Sequence, residues 1–238
     1  MEKSVNMNII ARIYTGFPEK FGLPRQSGLA KSLTGKIVFE PEYRSEAAFR
    51  GLEEFSHIWI LWHFSRSDKK DWSPTVRPPR LGGNKRVGVF ASRSPFRPNP
   101  IGLSAVKLEK FVFDKNKGPL LWVSGVDMAD GTPIFDIKPY LQFADSYSDA
   151  SGGYADKVYS DNLEVQFERN TEEKLPEDIL IPLREVLRDD PRPHYQSDAG
   201  RVYGFEFAGY EIKFYVKNGI LRVISAEKTH RNSDISFK

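Results

Sequence analysis

The chain has 238 residues, 39% of them hydrophobic and 13% aromatic, which is enough for two unequal domains with ordinary cores. It contains no cysteine, which excludes disulfides, thiolate catalysis and cysteine-ligated metal sites, and its four histidines form no metal-binding pattern. No apolar run approaches the roughly 20 residues that cross a bilayer, and the first residues do not form a secretory signal, so we expect a cytoplasmic protein that does not bind membranes or metal.

The first quarter of the chain is predicted to form strands. Alternating apolar residues predict a strand at residues 5–14, and a short second strand follows at 36–39. Ser45 suits the N-cap of a short helix over residues 46–52. Residues 55–64 are the most apolar run and are rich in aromatic and β-branched side chains, which predicts a buried central strand.

The loop between the first two predicted strands contains Pro24, Arg25 and Gln26. A proline that fixes the backbone beside an arginine and an amide suits a ligand contact, but such residues are equally typical of a surface turn. On these residues alone both interpretations stay open.

Positive charge is concentrated between Asp71 and Glu109. This stretch has no acidic residue, and since the whole chain carries only +3, its seven basic residues leave about −4 for the rest. We therefore predict an anionic partner. The basic residues are Arg77, Arg80, Lys85, Arg86, Arg93, Arg97 and Lys107.

Prolines and glycines divide the same stretch into two stiff loops around a short apolar strand at residues 87–91. Such loops are often only solvated connections or ligands for an aromatic groove. The order of polar loop, apolar strand and polar loop favours a binding site, because binding groups tend to lie on loops held by a rigid scaffold.

The next segment is again dominated by strands, predicted at residues 102–113, 120–126 and 134–140, with a tight turn at 127–133. Many short strands and few helices predict a mainly β fold in which one sheet closes into a barrel. The barrel domain is predicted to cover residues 1–145.

A polar, small-residue segment then predicts a linker at residues 146–158. A small α+β domain is predicted over residues 159–238, with an Asn218-Gly219 hairpin turn. Its predicted elements are a strand at 163–167, a helix at 177–188 and strands at 202–207, 211–216 and 221–224.

Dinucleotide, P-loop and nucleophile-elbow motifs are absent, since the chain contains no GxGxxG before a helix, no GxxxxGKS/T and no GxSxG. The remaining constellation combines the arginines of the basic stretch and Asn99 with polar residues of the later turn and strand. Arginines suit phosphates, and the turn suits a smaller polar ligand. The later residues are Asp130, Thr132, Asp136, Lys138 and Tyr140, of which the last three would share one strand face; such a face is more often simply solvent-exposed.

Several long motifs closely resemble the TrmO (TsaA/YaeB) family of S-adenosylmethionine-dependent tRNA methyltransferases. They are PRQSGL at 24–29, GLEEFSHIWIL at 51–61, RPPRLGG at 77–83, GVFASRSPFRPNPIGLS at 88–104 and DGTPIFDIKPY at 130–140. DPRPHY at 190–195 is similar to the C-terminal domain of longer bacterial members, so the resemblance covers nearly the whole chain.

The resemblance implies a single-sheeted β-barrel enzyme that acts as a homodimer on tRNA. The implied reaction is methyl transfer from S-adenosyl-L-methionine to N6 of adenosine 37 that already carries a threonylcarbamoyl group. The implied cofactor-binding residues are Pro24, Arg25, Gln26, Ser65, Arg66, Arg93, Leu103, Asp130, Gly131, Thr132 and Pro133.

The substrate nitrogen loses a proton as it accepts the methyl group, and we expect Asp136 or Tyr140 to accept that proton directly or through water. We expect the basic residues to bind the RNA backbone. They are Arg77, Arg80, Arg86, Arg97 and Lys138. A non-catalytic RNA-binding module is the alternative; it explains the basic stretch but not the acidic turn beside it.

Overall fold

A computed structural model describes residues 4–67, 71–78, 81, 85–158, 162–168, 170–192 and 200–229. In chain order its strands and α-helices are β1 (Ala11–Thr15), β2 (Thr34–Phe39), β3 (His57–His63), β4 (Thr75–Val76), β5 (Val87–Gly88), β6 (Ile101–Asp114), β7 (Gly118–Ser124), β8 (Thr132–Pro139), α1 (Gln142–Asp145), α2 (Tyr154–Val158), β9 (Glu164–Phe167), α3 (Glu177–Arg188), β10 (Tyr203–Phe207), β11 (Tyr210–Lys217) and β12 (Ile220–Lys228).

Six antiparallel strands form a closed barrel in the order β1-β2-β7-β6-β3-β8, and pairing of β8 with β1 completes it. The predicted mainly β fold with a closed sheet is therefore confirmed. Alternate residues point inward, which gives the barrel its apolar core. Completely buried isoleucines from four strands fill it: Ile13, Ile37, Ile58, Ile60 and Ile134.

The C-terminal part contains a four-stranded sheet in the order β10-β11-β12-β9, in which only the β12–β9 pair is parallel. Helix α3 contributes Leu183 and Leu187 to the core, both 0% exposed. Asn218 and Gly219 have φ of 53° and 75°, as a two-residue hairpin turn requires, so the predicted hairpin is confirmed. The core of this part is continuous with that of the barrel.

Three local predictions differ from the structure. The predicted helix after Ser45 is wrong: two short 3₁₀ turns, Glu46–Phe49 and Leu52–Glu54, flank Gly51, whose φ of 84° interrupts a regular helix. The strand predicted at 87–91 ends at Gly88, and Val89–Ala91 is a 3₁₀ turn.

The first strand begins at Ala11 instead of residue 5, because its paired register with both β2 and β8 begins there. Two short helices, α1 and α2, lie at the start and near the end of the segment that separates the two sheets. Within the part of the chain that the structure describes, no helix has both the length and the hydropathy that a bilayer crossing requires.

Candidate active site

A cavity of about 940 Å³ opens beside the barrel. Its walls are the loop of residues 16–33 between β1 and β2 (the β1–β2 loop), the end of β3, the segment before β6 and the start of β6. Many of the residues proposed from the sequence line it, although they come from distant parts of the chain. They are Pro24, Arg25, Gln26, Ser65, Arg66, Arg93, Arg97, Leu103, Thr132 and Tyr140.

The basic stretch and the β1–β2 loop meet at one side of this cavity. Arg93 Nη1 donates a hydrogen bond to Gln26 Oε1, and Gln26 Nε2 in turn donates to the backbone oxygen of Arg25. Arg97 Nη1 donates to the backbone oxygen of Ser92 at 3.1 Å, which fixes the loop that carries Arg93. The cluster presents guanidinium groups to the cavity and suits an anionic ligand group.

The turn at Asp130 lies next to the cavity but directs its carboxylate elsewhere. Asp130 Oδ1 accepts a hydrogen bond from the backbone N–H of Thr15 at 3.0 Å, and burial raises the pKa of this carboxyl. Arg66 Nη2 donates to the Asp130 backbone oxygen at 2.9 Å. Asp130 therefore joins β1 to the turn, while Gly131, with φ of 74°, and Pro133 shape it outside the cavity lining.

Asp127 is a cavity residue that our sequence analysis missed. Its Oδ1 accepts a hydrogen bond from Ser104 Oγ at 2.7 Å, and that hydroxyl accepts one from Trp62 Nε1 at 2.9 Å. Burial raises the pKa of Asp127 to about 6, against the opposing effects of the Ser104 and Ser27 hydrogen bonds and the charge of Arg93. The sequence could have indicated this residue, because Asp127 is an acidic residue between the apolar Val126 and Met128.

Tyr140 lines the cavity as part of an aromatic wall. Its ring centroid lies 5.4 Å from that of Trp59 and 6.2 Å from that of His57. Trp59 Nε1 donates to Asp145 Oδ2 at 2.9 Å, and the same oxygen accepts the backbone N–H of Leu141 at 2.8 Å. Asp145, the last residue of α1, therefore fixes the indole against which Tyr140 packs.

The second acid–base candidate, Asp136, does not belong to the cavity lining. It forms an exposed ion pair with Lys138 at 2.9 Å, and its Oδ1 accepts the N–H of Ile137. Asp136 and Lys138 do lie on one face of β8, as the alternation of a strand requires. Neither side chain is directed into the cavity with Tyr140.

Two further predicted RNA-binding residues, Arg77 and Arg86, lie at the β4–β5 ribbon. Arg86 donates to Thr75 Oγ1 at 2.7 Å and to the Thr75 backbone oxygen at 3.1 Å, so it braces the ribbon. Arg77 is exposed at its end. Arg80 lies outside the described residues. Among the residues that the structure describes, no group of three or more His, Asp or Glu side chains could hold a metal ion.

The fold and the site define a β-barrel protein whose cavity combines arginines, a buried carboxylate and an aromatic wall. The family model of the tRNA-methyltransferase O N-terminal domain matches residues 12–146, and that of the TrmO C-terminal domain matches residues 158–229. The chain therefore belongs to the tRNA-methyltransferase O (TrmO) family, and the resemblance seen in the sequence motifs is confirmed.

Relatives match nearly the whole chain. An Escherichia coli (strain K12) protein named tRNA (adenine(37)-N6)-methyltransferase is 42% identical over 226 residues, 92% of this chain and 96% of that protein. A Pseudomonas aeruginosa protein named putative S-adenosylmethionine-dependent methyltransferase RcsF is 38% identical over 224 residues, 90% of this chain and 94% of that protein. A crystal structure of TrmO from Pseudomonas aeruginosa matches with a TM-score of 0.77 and 30% identity, over 96% of this chain and 99% of that chain.

Proposed function

We propose that this protein transfers a methyl group from S-adenosyl-L-methionine to N6 of adenosine 37 in tRNA, and that its substrate adenosine already carries an N6-threonylcarbamoyl group. The observation that carries the proposal is the single cavity in which the Arg93–Gln26 pair, the Asp127 carboxylate and the Tyr140 phenol meet. The 42% identity to the Escherichia coli enzyme supports the same reaction.

The cavity residues fit the chemistry of the methyl donor. Arg25 and Arg93 match its carboxylate, and Asp127 offers a counter-charge to its cationic groups inside a desolvated wall. The exposed side chain of Leu103 gives apolar area for a flat ring. When bound, the donor supplies an electrophilic methyl group on a sulfonium.

The proposed tRNA surface extends from the cavity to the β4–β5 ribbon. Arg66 and Arg97 line the cavity, and Arg77 and Arg86 are exposed at the β4–β5 ribbon, so these basic residues can contact RNA phosphates. The threonylcarbamoyl group carries a carboxylate of its own, which the cavity arginines suit because guanidinium groups bind carboxylates in bidentate geometry. Lys138, paired with Asp136, is a weaker candidate for a phosphate contact.

Methylation forms the N6–carbon bond, breaks the sulfur–carbon bond and releases the N6 proton. Of the two acceptors proposed from the sequence, Tyr140 is favoured because it lines the cavity, whereas Asp136 is paired with Lys138 outside it. We propose that the Tyr140 phenol relays the proton: its oxygen accepts the N6 proton, directly or through water, as its own hydroxyl proton passes to water.

We also propose that the enzyme acts as a homodimer. Exposed apolar side chains close to the cavity support it: Phe143 and Tyr147, on and just after α1, are 88% and 74% exposed. Apolar area of this kind is typical of protein contact surfaces. Analytical ultracentrifugation tests this part of the proposal, and a monomer at micromolar concentration would reject it.

The decisive experiment is methylation in vitro with the purified protein, S-adenosylmethionine and two tRNA transcripts that differ only in the threonylcarbamoyl group at adenosine 37. Nucleoside mass spectrometry should show one added methyl group on the modified tRNA alone. Equal methylation of both would reject the threonylcarbamoyl requirement. Tight tRNA binding without methylation, and without thermal stabilisation by S-adenosylmethionine, would identify a binding module instead.

A further inference from the structure

The β1–β2 loop is held on one side by the barrel. The N–H of Gly28 donates to the Gly125 oxygen at 2.8 Å, and the N–H of Gly125 donates to the Leu33 oxygen at 2.9 Å. These bonds fix the second half of the loop. Its first half and its tip, which carries Arg25 and Gln26 at the cavity, also depend on other contacts.

The C-terminal domain supplies contacts to both halves of the loop. Glu185 Oε2 on α3 accepts two hydrogen bonds from Ser32, one from the backbone N–H and one from Oγ, each 2.8 Å long. The Arg192 backbone oxygen accepts a hydrogen bond from Arg25 Nη2 at 2.8 Å. Arg192 is in turn held by a two-bond ion pair with the buried Asp190, with both N–O distances 2.8 Å.

Aromatic residues of the C-terminal sheet shape the first half of the loop. A Cβ at Gly16 would lie 2.9 Å from the Phe207 ring, and one at Gly22, where φ is 94°, would lie 2.7 Å from the Phe205 ring. Phe17 packs on Phe207 with ring centroids 4.8 Å apart. The loop backbone thus follows the surface of the C-terminal sheet too closely to admit side chains at these glycines.

A continuous set of hydrogen bonds connects this contact to the cavity. It runs from the Arg192 carbonyl to the Arg25 guanidinium, from the Arg25 carbonyl to the Gln26 amide, and from Gln26 to Arg93. A displacement of the C-terminal segment at Arg192 would therefore move Arg25 and, through it, Gln26 and Arg93, all of which line the cavity.

We propose that the C-terminal domain is part of the methyl-donor site, with Glu185 and Arg192 as positioning residues that hold the β1–β2 loop so that Arg25 and Gln26 face the donor. This inference rests on the proposed function. It extends that function by giving the C-terminal domain a role in donor binding, separate from any contact with tRNA.

Three variants of the full chain test the proposal. Glu185→Ala removes the acceptor of both Ser32 bonds, whereas Glu185→Gln keeps an amide oxygen in the same place. Glu172→Ala is the matched control, because it breaks the Glu172–Arg184 ion pair to the same helix without touching the loop. Calorimetry measures the Kd for S-adenosylmethionine, filter binding measures the Kd for tRNA, and hydrogen–deuterium exchange follows peptides from residues 16–33.

We expect Glu185→Ala to weaken S-adenosylmethionine binding about tenfold, to leave tRNA binding within about twofold, and to accelerate exchange in the loop. Glu185→Gln should restore the wild-type donor Kd and the wild-type loop exchange, and Glu172→Ala should match the wild type in both. A wild-type donor Kd and unchanged loop exchange in Glu185→Ala would overturn the proposal, as would equal losses of donor and tRNA binding in Glu185→Ala and Glu172→Ala. If the wild-type protein bound no donor, the proposed function would fail, and loop exchange would still decide whether Glu185 holds the loop.

Discussion

Arg93 donates a hydrogen bond to Gln26, which precedes it by 67 positions in the chain. This contact brings a loop of the basic stretch against the β1–β2 loop and creates one wall of the cavity. The two segments are therefore a single site, and loss of either partner should affect the same ligand.

Arg93→Ala should weaken S-adenosylmethionine binding at least tenfold, because a charge-assisted hydrogen bond and a guanidinium that faces the cavity are both lost. Isothermal titration calorimetry measures the effect. Arg86→Ala is the control, since Arg86 lies in the same basic stretch but braces the β4–β5 ribbon through Thr75. Equal weakening in both variants would show that Arg93 has no special place in the donor site.

Asp127 makes the free energy of unfolding depend on pH. Because the pKa of Asp127 rises from 3.8 to about 6 on folding, the folded state binds this proton more tightly than the unfolded state does. The free energy of unfolding therefore falls as the pH is raised from about 4 to about 6. Above pH 6 the buried, ionised Asp127 lowers the free energy of unfolding by about 3 kcal/mol. Asp127→Asn should therefore unfold at a higher temperature than wild type at pH 8 and at a similar temperature at pH 4. The same difference at both pH values would contradict the raised pKa.

Arg77 should bind RNA phosphate. Since each lost phosphate contact lowers the slope of log K against log salt by about one unit, Arg77→Ala should reduce the slope for tRNA by that amount and weaken binding similarly for every tRNA sequence. Filter binding at several salt concentrations measures the slope. Lys174→Ala, in the exposed Lys174–Glu227 pair of the C-terminal domain, is the control. An unchanged slope in Arg77→Ala would place the RNA surface elsewhere.

Substitutions of Tyr140 and Asp136 should have different effects on the methylation rate. Tyr140→Phe should lower the single-turnover methylation rate by about 100-fold with little change in donor affinity, because general-base contributions are of that order. Asp136→Asn should react at nearly the wild-type rate, since Asp136 lies in an exposed pair with Lys138. Rapid-quench assays with bound donor measure both rates. The reverse order of effects would reassign the proton acceptor to Asp136.

Gly102 is required by the packing of the barrel. A Cβ at this position would lie 2.1 Å from the Trp62 indole, which is 7% exposed, so Gly102→Ala must displace a buried ring. We expect a loss of about 2 kcal/mol in the free energy of unfolding, typical of overpacked cores. Gly88→Ala is the control, because a Cβ there meets no atom within 4 Å. Chemical denaturation compares the two, and equal stability would contradict the packing.

The sequence predicted strands correctly where one face of the strand is buried. The run around Ile58 and Ile60 alternates in burial and forms β3, as expected from its apolar and β-branched residues. The short helix predicted after Ser45 is wrong, because the left-handed backbone of Gly51 separates two 3₁₀ turns. Local propensity marks Gly51 as a weak point of a helix but does not specify its left-handed backbone.

The chain by itself determined the strand-rich composition, the local concentration of basic residues and the motifs that resemble the TrmO family. Only the tertiary structure decided which polar groups share a cavity: it placed Asp127 inside, placed Asp136 outside and turned the Asp130 carboxylate toward Thr15. The reason is physical. Barrel closure and the packing of the C-terminal sheet bring together residues far apart in the chain, and the burial that changes a carboxyl group's pKa exists only after those contacts form.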